Sequence, residues 1–204
     1  MQPLFPYEPG ALIHKFESIV DRLDLAKILP KEQPVELELG AGDGSFFVQY
    51  AKLHPEHNFL GLERLLGRLR KIDKKSQRAG LQNVKLVRLE ASYFLEYLLP
   101  GKSITALHIY FPDPWPKRKH RKNRLVNEQF TELARKVMIP GGVVHLRTDD
   151  LDYFEQMNMV FDANPAFEKV ETPAVLMEVK TDFERNFHLR GVATQAVSYR
   201  LISC

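Results

Sequence analysis

Cysteine is nearly absent from this 204-residue chain: the one thiol, Cys204, is its last residue. A lone terminal thiol can neither staple a fold nor assemble a zinc site, and it fits a reducing, cytoplasmic setting. Long apolar runs are missing too. The eight residues of ITALHIYF (104–111) are among the longest, far short of the roughly 20 needed to span a bilayer, so no membrane association is expected. The opening MQPLFPYEPG has neither a basic n-region nor an apolar core, and no secretory leader is expected. The seven histidines show no metal-ligand spacing, and no Ser-His-Asp arrangement is visible, so no metal is expected. His108, inside an apolar strand, reads as a core residue. There is no internal repeat and no low-complexity tract.

What is present is an ordinary globular composition, 44% hydrophobic and 27% charged. That bounds the chain at one domain of residues 31–204 with a helical extension over 1–30. Net charge is only +3, but six positive charges fall within residues 117–124 of FPDPWPKRKHRKNR (111–124), leaving −3 for the rest. Basicity concentrated in one patch points to a localised polyanion contact.

Apolar residues at 12, 13, 16, 19, 20, 23 and 25 predict an amphipathic helix over 11–28. Strands are then predicted at 35–40, 58–63, 84–90, 104–111 and 143–149. Helices alternate with them: SFFVQYAKLH stopped by Pro55, a long basic helix ending near Gly80, SYFLEYLL, NEQFTELARKVM, and 150–163. Pro140-Gly141-Gly142 reads as the turn before the fifth strand, and the tail over 174–203 predicts two further strands. Alternating strands and helices mean βαβ units and an α/β fold with a mostly parallel sheet. In such sheets ligands bind beyond the carboxyl ends of the strands. Here those ends are Glu38 with Gly40, then Glu63, Glu90, Asp113 and Asp149.

The first strand runs into Glu38-Leu39-Gly40-Ala41-Gly42-Asp43-Gly44, where glycines permit a tight turn and close approach of a ligand. The spacing G-x-G-x-G is one residue short of the dinucleotide fingerprint. Glu38 and Asp43 would also repel a pyrophosphate. A ligand with cationic groups and no phosphate suits these acids, and S-adenosylmethionine has an ammonium and a sulfonium. Glu63 can accept hydrogen bonds from the ribose hydroxyls, and Glu90 can reach the adenine edge.

FPDPWPKRKHRKNRL, together with ELGAGDG, GLE, HLRTDD and TDFE, closely resembles the bacterial tRNA (guanine-N7-)-methyltransferase family, from about residue 35 to the C-terminus. The resemblance implies a Rossmann-like class I methyltransferase fold: a seven-stranded, mostly parallel sheet with helices on both faces and the last strand antiparallel. It implies S-adenosylmethionine as donor and a guanine in the tRNA variable loop as target. Glu38, Gly40, Gly42, Glu63, Glu90 and Asp113 would bind the donor, and Asp113 would be the active-site residue. Lys117, Asp149 and the segment Thr181, Asp182, Phe183 and Glu184 would bind substrate. Lys119, His120, Arg121, Lys122, Asn123 and Arg124 would contact RNA. The family commonly carries Asp where Glu90 stands, and Asp43 is given no role. The protein is expected as a monomer or homodimer.

The chemistry agrees with that implication. Guanine N7 has an in-plane lone pair and no proton, so it can attack a sulfonium methyl without a general base. Holding the base is then the main task. Asp113 can accept hydrogen bonds from guanine N1–H or N2–H, while Pro112 and Pro114 stiffen its loop. Trp115 or Phe111 can stack on an extruded base. Of Asp149 and Asp150, one is expected to orient substrate and the other to cap the next helix. Rival readings are an RNA adenine amino-methyltransferase, from the likeness of Asp-Pro-Trp to Asp-Pro-Pro-Tyr, a catalytically silent RNA-binding module, and a nicotinamide oxidoreductase.

Overall fold

A computed structural model describes residues 7–202. Cys204 and the first six residues, on which part of the leader reading falls, lie outside them. The chain divides into two compact units, Met1–Pro100 and Gly101–Cys204.

In the first unit, α1 (Leu25–Ile28) precedes β1 (Val35–Leu39), α2 (Ser45–Leu53), β2 (Asn58–Leu62), α3 (Leu66–Arg78) and β3 (Val84–Val87). A short α4 (Ala91–Tyr93) continues as a π-helical turn, Phe94–Leu98. β1 and β2 are buried along their whole length, as strands covered on both faces must be. They pair in parallel, Leu37 opposite Leu60 and Glu38 opposite Gly61. Gly61 is required by packing: a Cβ there would stand 2.9 Å from both Phe47 and Leu86 side chains.

The helix expected over 11–28 shrinks to α1. Ile13 bridges Leu86 instead, with Leu86 N–H donating to Leu12 O at 2.9 Å and His14 N–H to Leu86 O at 2.8 Å. Asp73, a buried carboxylate on α3, accepts from the backbone N–H of Gly10 (2.8 Å) and Leu12 (3.2 Å). Pairing with β3 and this buried acid override a helical apolar period that had no partner surface to enforce it.

In the second unit, β4 (Ile104–Tyr110), α5 (Glu128–Val137), β5 (Met138–Thr148), α6 (Leu151–Asp162), β6 (Phe167–Val170), α7 (Ala174–Glu178), α8 (Asp182–Leu189) and β7 (Gln195–Leu201) follow in order. β4 and β5 are parallel, with a register shift between Ile104 and Ala106 that absorbs the Pro-Gly-Gly residues into an irregular start of β5. β7 is antiparallel to both β5 and β6.

The tail departs from expectation. It holds one strand and two short helices where two strands were expected, because β6 has formed earlier. Thr181-Asp182-Phe183-Glu184 opens α8 with a side-chain N-cap: Thr181 Oγ1 accepts from Glu184 N–H at 3.0 Å. The strand order is β3-β2-β1-β4-β5-β7-β6, the seven-stranded, mostly parallel sheet expected. Among the described residues no helix is long and apolar enough to cross a membrane.

Candidate functional site

In the first unit the glycine loop leaves β1 with Gly40 (φ 77°), Gly42 (φ 58°) and Gly44 (φ 77°) all in the left-handed region. A Cβ at Gly44 would meet Ile72 at 2.9 Å, so that glycine seats α2 against α3. A Cβ at Gly40 would meet nothing within 4 Å, so the loop there is open to a ligand.

Glu63 organises the turn. Its two carboxylate oxygens accept from Gly42 N–H (3.1 Å) and Leu65 N–H (2.7 Å), tying the end of β2 to the loop after β1. A carboxylate has about four acceptor sites, so two remain for a ribose diol. Glu38 is buried, while Glu90 is exposed. Glu90 caps α4, accepting from Ser92 N–H (3.0 Å) and Tyr93 N–H (2.8 Å). Asp43 is engaged locally, with Ser45 N–H on one oxygen and Lys75 Nζ on the other. An open loop, a carboxylate with spare acceptors and further acids fit a donor carrying a ribose and two cationic groups.

In the second unit Asp113 is exposed just beyond the end of β4. Two non-glycine residues bracket it in the left-handed region, Phe111 (φ 52°) and Trp115 (φ 43°). Such conformations persist only where the surroundings impose them, and they collect at functional sites. Phe111 N–H donates to Arg147 O at 2.9 Å, and its ring lies 5.7 Å from that of Phe187. Trp115 stands edge-on to His120 at 5.9 Å and is 36% exposed, so it belongs to the surface, not the core.

The cationic run is not uniform. Residues 118–123 form a 3-10 turn. Lys117, Arg118, Lys119, Lys122 and Asn123 are exposed, and His120 is half-buried. Arg121 pairs with Asp152 at 2.8 Å. Arg124 departs from its expected place among the RNA contacts: it is 2% exposed. Its Nε donates to Pro114 O (2.7 Å), its Nη atoms to Gln156 (2.9 Å) and Asp152 (2.6 Å), and its guanidinium lies 4.7 Å from the Tyr153 ring centre. It therefore anchors the Asp113 loop onto α6. Burial pushes the Tyr153 phenol up to about 12, and its oxygen accepts from Val126 N–H at 2.9 Å.

Of the aspartate pair after β5, Asp150 is the cap, accepting from Tyr153 N–H at 2.8 Å, while Asp149 is half-buried beside it. At the start of α8, Asp182 and Phe183 are exposed. Glu184 is 0% exposed and takes Arg147 Nη1 at 3.0 Å. Arg147 also donates to Val179 O (3.1 Å) and Leu176 O and lies over the Tyr110 ring. A fully buried ion pair thus fastens α7 and α8 to β5, and losing either partner would strand the other charge. Sequence reasoning passed over Arg147. The signals were there: an arginine inside an apolar strand, and the T-x-x-E pattern that opens α8.

A family profile described as "Putative methyltransferase" matches residues 32–196. The chain is 33% identical over 184 residues to the tRNA (guanine-N(7)-)-methyltransferase of Halorhodospira halophila, covering 88% of this chain and 80% of that protein. It is likewise 33% identical over 183 residues to the protein of the same name from Aliivibrio fischeri, with 87% and 77% covered. Among solved structures, the 16S rRNA methyltransferase KamB superposes with a TM-score of 0.64 over 88% of this chain and 93% of that one. At 15% identity that likeness concerns the fold alone. With its matched length, its class I methyltransferase sheet and its Asp-Pro-Trp loop taken together, the chain belongs to the tRNA (guanine-N(7)-)-methyltransferase family.

Proposed function

We propose that this protein transfers a methyl group from S-adenosylmethionine to N7 of a guanine in the variable loop of tRNA, in the cytoplasm. The observation that carries the reading is Asp113: an exposed carboxylate at a strand end, held between two left-handed residues and followed at once by outward-facing cations. An RNA-binding module has no use for a carboxylate held at such conformational cost.

S-adenosylmethionine, when bound, supplies a methyl group on a positively charged sulfur, open to displacement by a nitrogen lone pair. Gly40 and Gly42 give it room, Glu63 takes the ribose hydroxyls, and Glu38 and Glu90 serve its remaining polar groups. Asp113 accepts hydrogen bonds from guanine N1–H or N2–H. Its charge offsets the positive charge that develops on the purine, an interaction strongest in the transition state. No side chain need remove a proton, because N7 carries none. Arg124 works one step back, keeping Pro114 and therefore Asp113 in place. Trp115 provides a stacking face worth about 1–3 kcal/mol to an extruded base. Lys117, Asp149, Thr181, Asp182 and Phe183 position the substrate, with Glu184 acting through Arg147. Lys119, His120, Arg121, Lys122 and Asn123 meet RNA phosphates, which give affinity without sequence information.

Nucleoside mass spectrometry after incubating unmodified tRNA with protein and donor tests this. 7-Methylguanosine is expected, and Asp113→Ala should lower kcat by at least about 100–1,000-fold while sparing donor affinity. N6-methyladenosine in the product, or no modified nucleoside at all, would refute the reading.

A further inference from the structure

We propose that α3 carries a second RNA-binding surface, a stripe of cations that takes phosphate groups in addition to those met by the loop 117–124. The proposal rests on the tRNA reading only for the identity of the polyanion.

Residues 64–78 contain seven cations and one acid. The acid, Asp73, is 0% exposed and occupied by the backbone N–H groups of Gly10 and Leu12, so it neutralises nothing on the surface. Lys75 is drawn to Asp43. Arg64, Arg68, Arg70, Lys71, Lys74 and Arg78 are all exposed. At 100° per residue Arg68, Arg70, Lys71, Lys74 and Arg78 fan over one side of the helix, opposite the buried Leu69, Ile72, Asp73 and Ser76, and Arg64 precedes the N-cap. The stripe is about 20 Å long and begins at the residue after Glu63.

A solvated helix face would not be built this way. Arg68 with Lys71, Arg70 with Lys74, and Lys74 with Arg78 are like-charge pairs at spacings of three or four within α3, each of which weakens a helix. Arg64, Arg68 and Arg70 also crowd the helix N-terminus, whose own partial charge is positive, and Leu65 at the N-cap makes no side-chain cap bond. α5 follows the opposite rule in the same chain, with Glu128 in its first turn, Arg135 and Lys136 in its last, and a Glu132–Arg135 pair. Local rules broken on one face, and kept elsewhere, mark a surface shaped for a partner. Long flexible cations repeating every turn match a polyphosphate backbone, which needs charge more than fixed geometry.

The test measures tRNA binding against salt concentration for wild type, R68Q/K71Q/R78Q and a control, K31Q/K52Q/K136Q, that makes the same change in net charge at exposed lysines elsewhere. Glutamine keeps helix propensity and removes the repulsion, so the stripe variant should melt no lower than wild type. Its log–log salt slope should fall by about two to three. Its KM for tRNA should rise roughly ten- to hundredfold, with kcat at saturating tRNA and donor affinity retained. The charge-conserving R68K/K71R/R78K should keep the wild-type slope. An unchanged slope in the glutamine variant, as for a stripe that serves an acidic protein, overturns the proposal, and so does an equal fall in the control. If wild type makes no 7-methylguanosine, the functional reading fails. The slope requires no turnover and still judges the stripe.

Discussion

Two stretches of this chain are crowded with cations, and they are built differently. Residues 117–124 are contiguous in sequence but divided in space: Arg124 faces inward to hold Pro114, Arg121 leans on Asp152, and the four other cations face water. The cations of α3 are scattered in sequence yet merge on one exposed face. A run of like letters is therefore a poor guide to a charged surface, and a helical period is a better one. Charge in the loop also holds Pro114 next to Asp113, whereas on α3 Lys75 pairs with Asp43 and Lys74 lies over the Tyr7 ring.

The largest effect should come from removing the inward cation. Arg124→Met deletes buried hydrogen bonds to Pro114, Gln156 and Asp152. It should cost about 2–4 kcal/mol in denaturant unfolding. Displacing Asp113 should lower kcat about 100-fold, with the donor still binding. If the variant instead keeps its stability and loses only tRNA affinity, the inward–outward division is wrong. A middling effect is expected from the outward pair. K119Q/K122Q should raise the KM for tRNA roughly tenfold and lower the salt slope by about two, with stability within about 0.5 kcal/mol of wild type.

The smallest effect at neutral pH, one that emerges only in alkali, concerns the ring under Arg124. The folded pKa of Tyr153, about 12, lies above the ordinary value of 10. Its contribution, about 2–3 kcal/mol by linkage, is fully present below pH 10 and fades as pH climbs through about 12. Tyr153→Phe should flatten the decline of melting temperature over that window. An unchanged decline would place the alkaline sensitivity in other groups.

Much of this was legible in the letters. Apolar runs such as VELEL and ITALHIY located the buried strands, because covering both faces leaves no alternation to misread, and the strand-end acids followed from them. Residues 11–24 misled because a helical apolar period is a weak cue without a surface to pack on, and pairing with β3 prevailed. The tail over 174–203 reads as strands, although in TDFE a threonine with a glutamate three residues on is a helix start. Arg124 was hidden because a charge buried by long-range partners carries no local mark, whereas Arg147 stood out as an arginine inside an apolar strand. The basic helix ending near Gly80 was legible, but a net charge of +3 hides how far its cations outnumber its acids, since acids elsewhere cancel them in the sum.

The strand-like segment through Ile13 has a practical corollary. β3 would otherwise present a row of unsatisfied amides and carbonyls, the kind of template that recruits other chains. Trimming the N-terminal side to residue 32, where the profile match begins, would strip that guard and favour fibrous or amorphous precipitate over a well-behaved shortened protein.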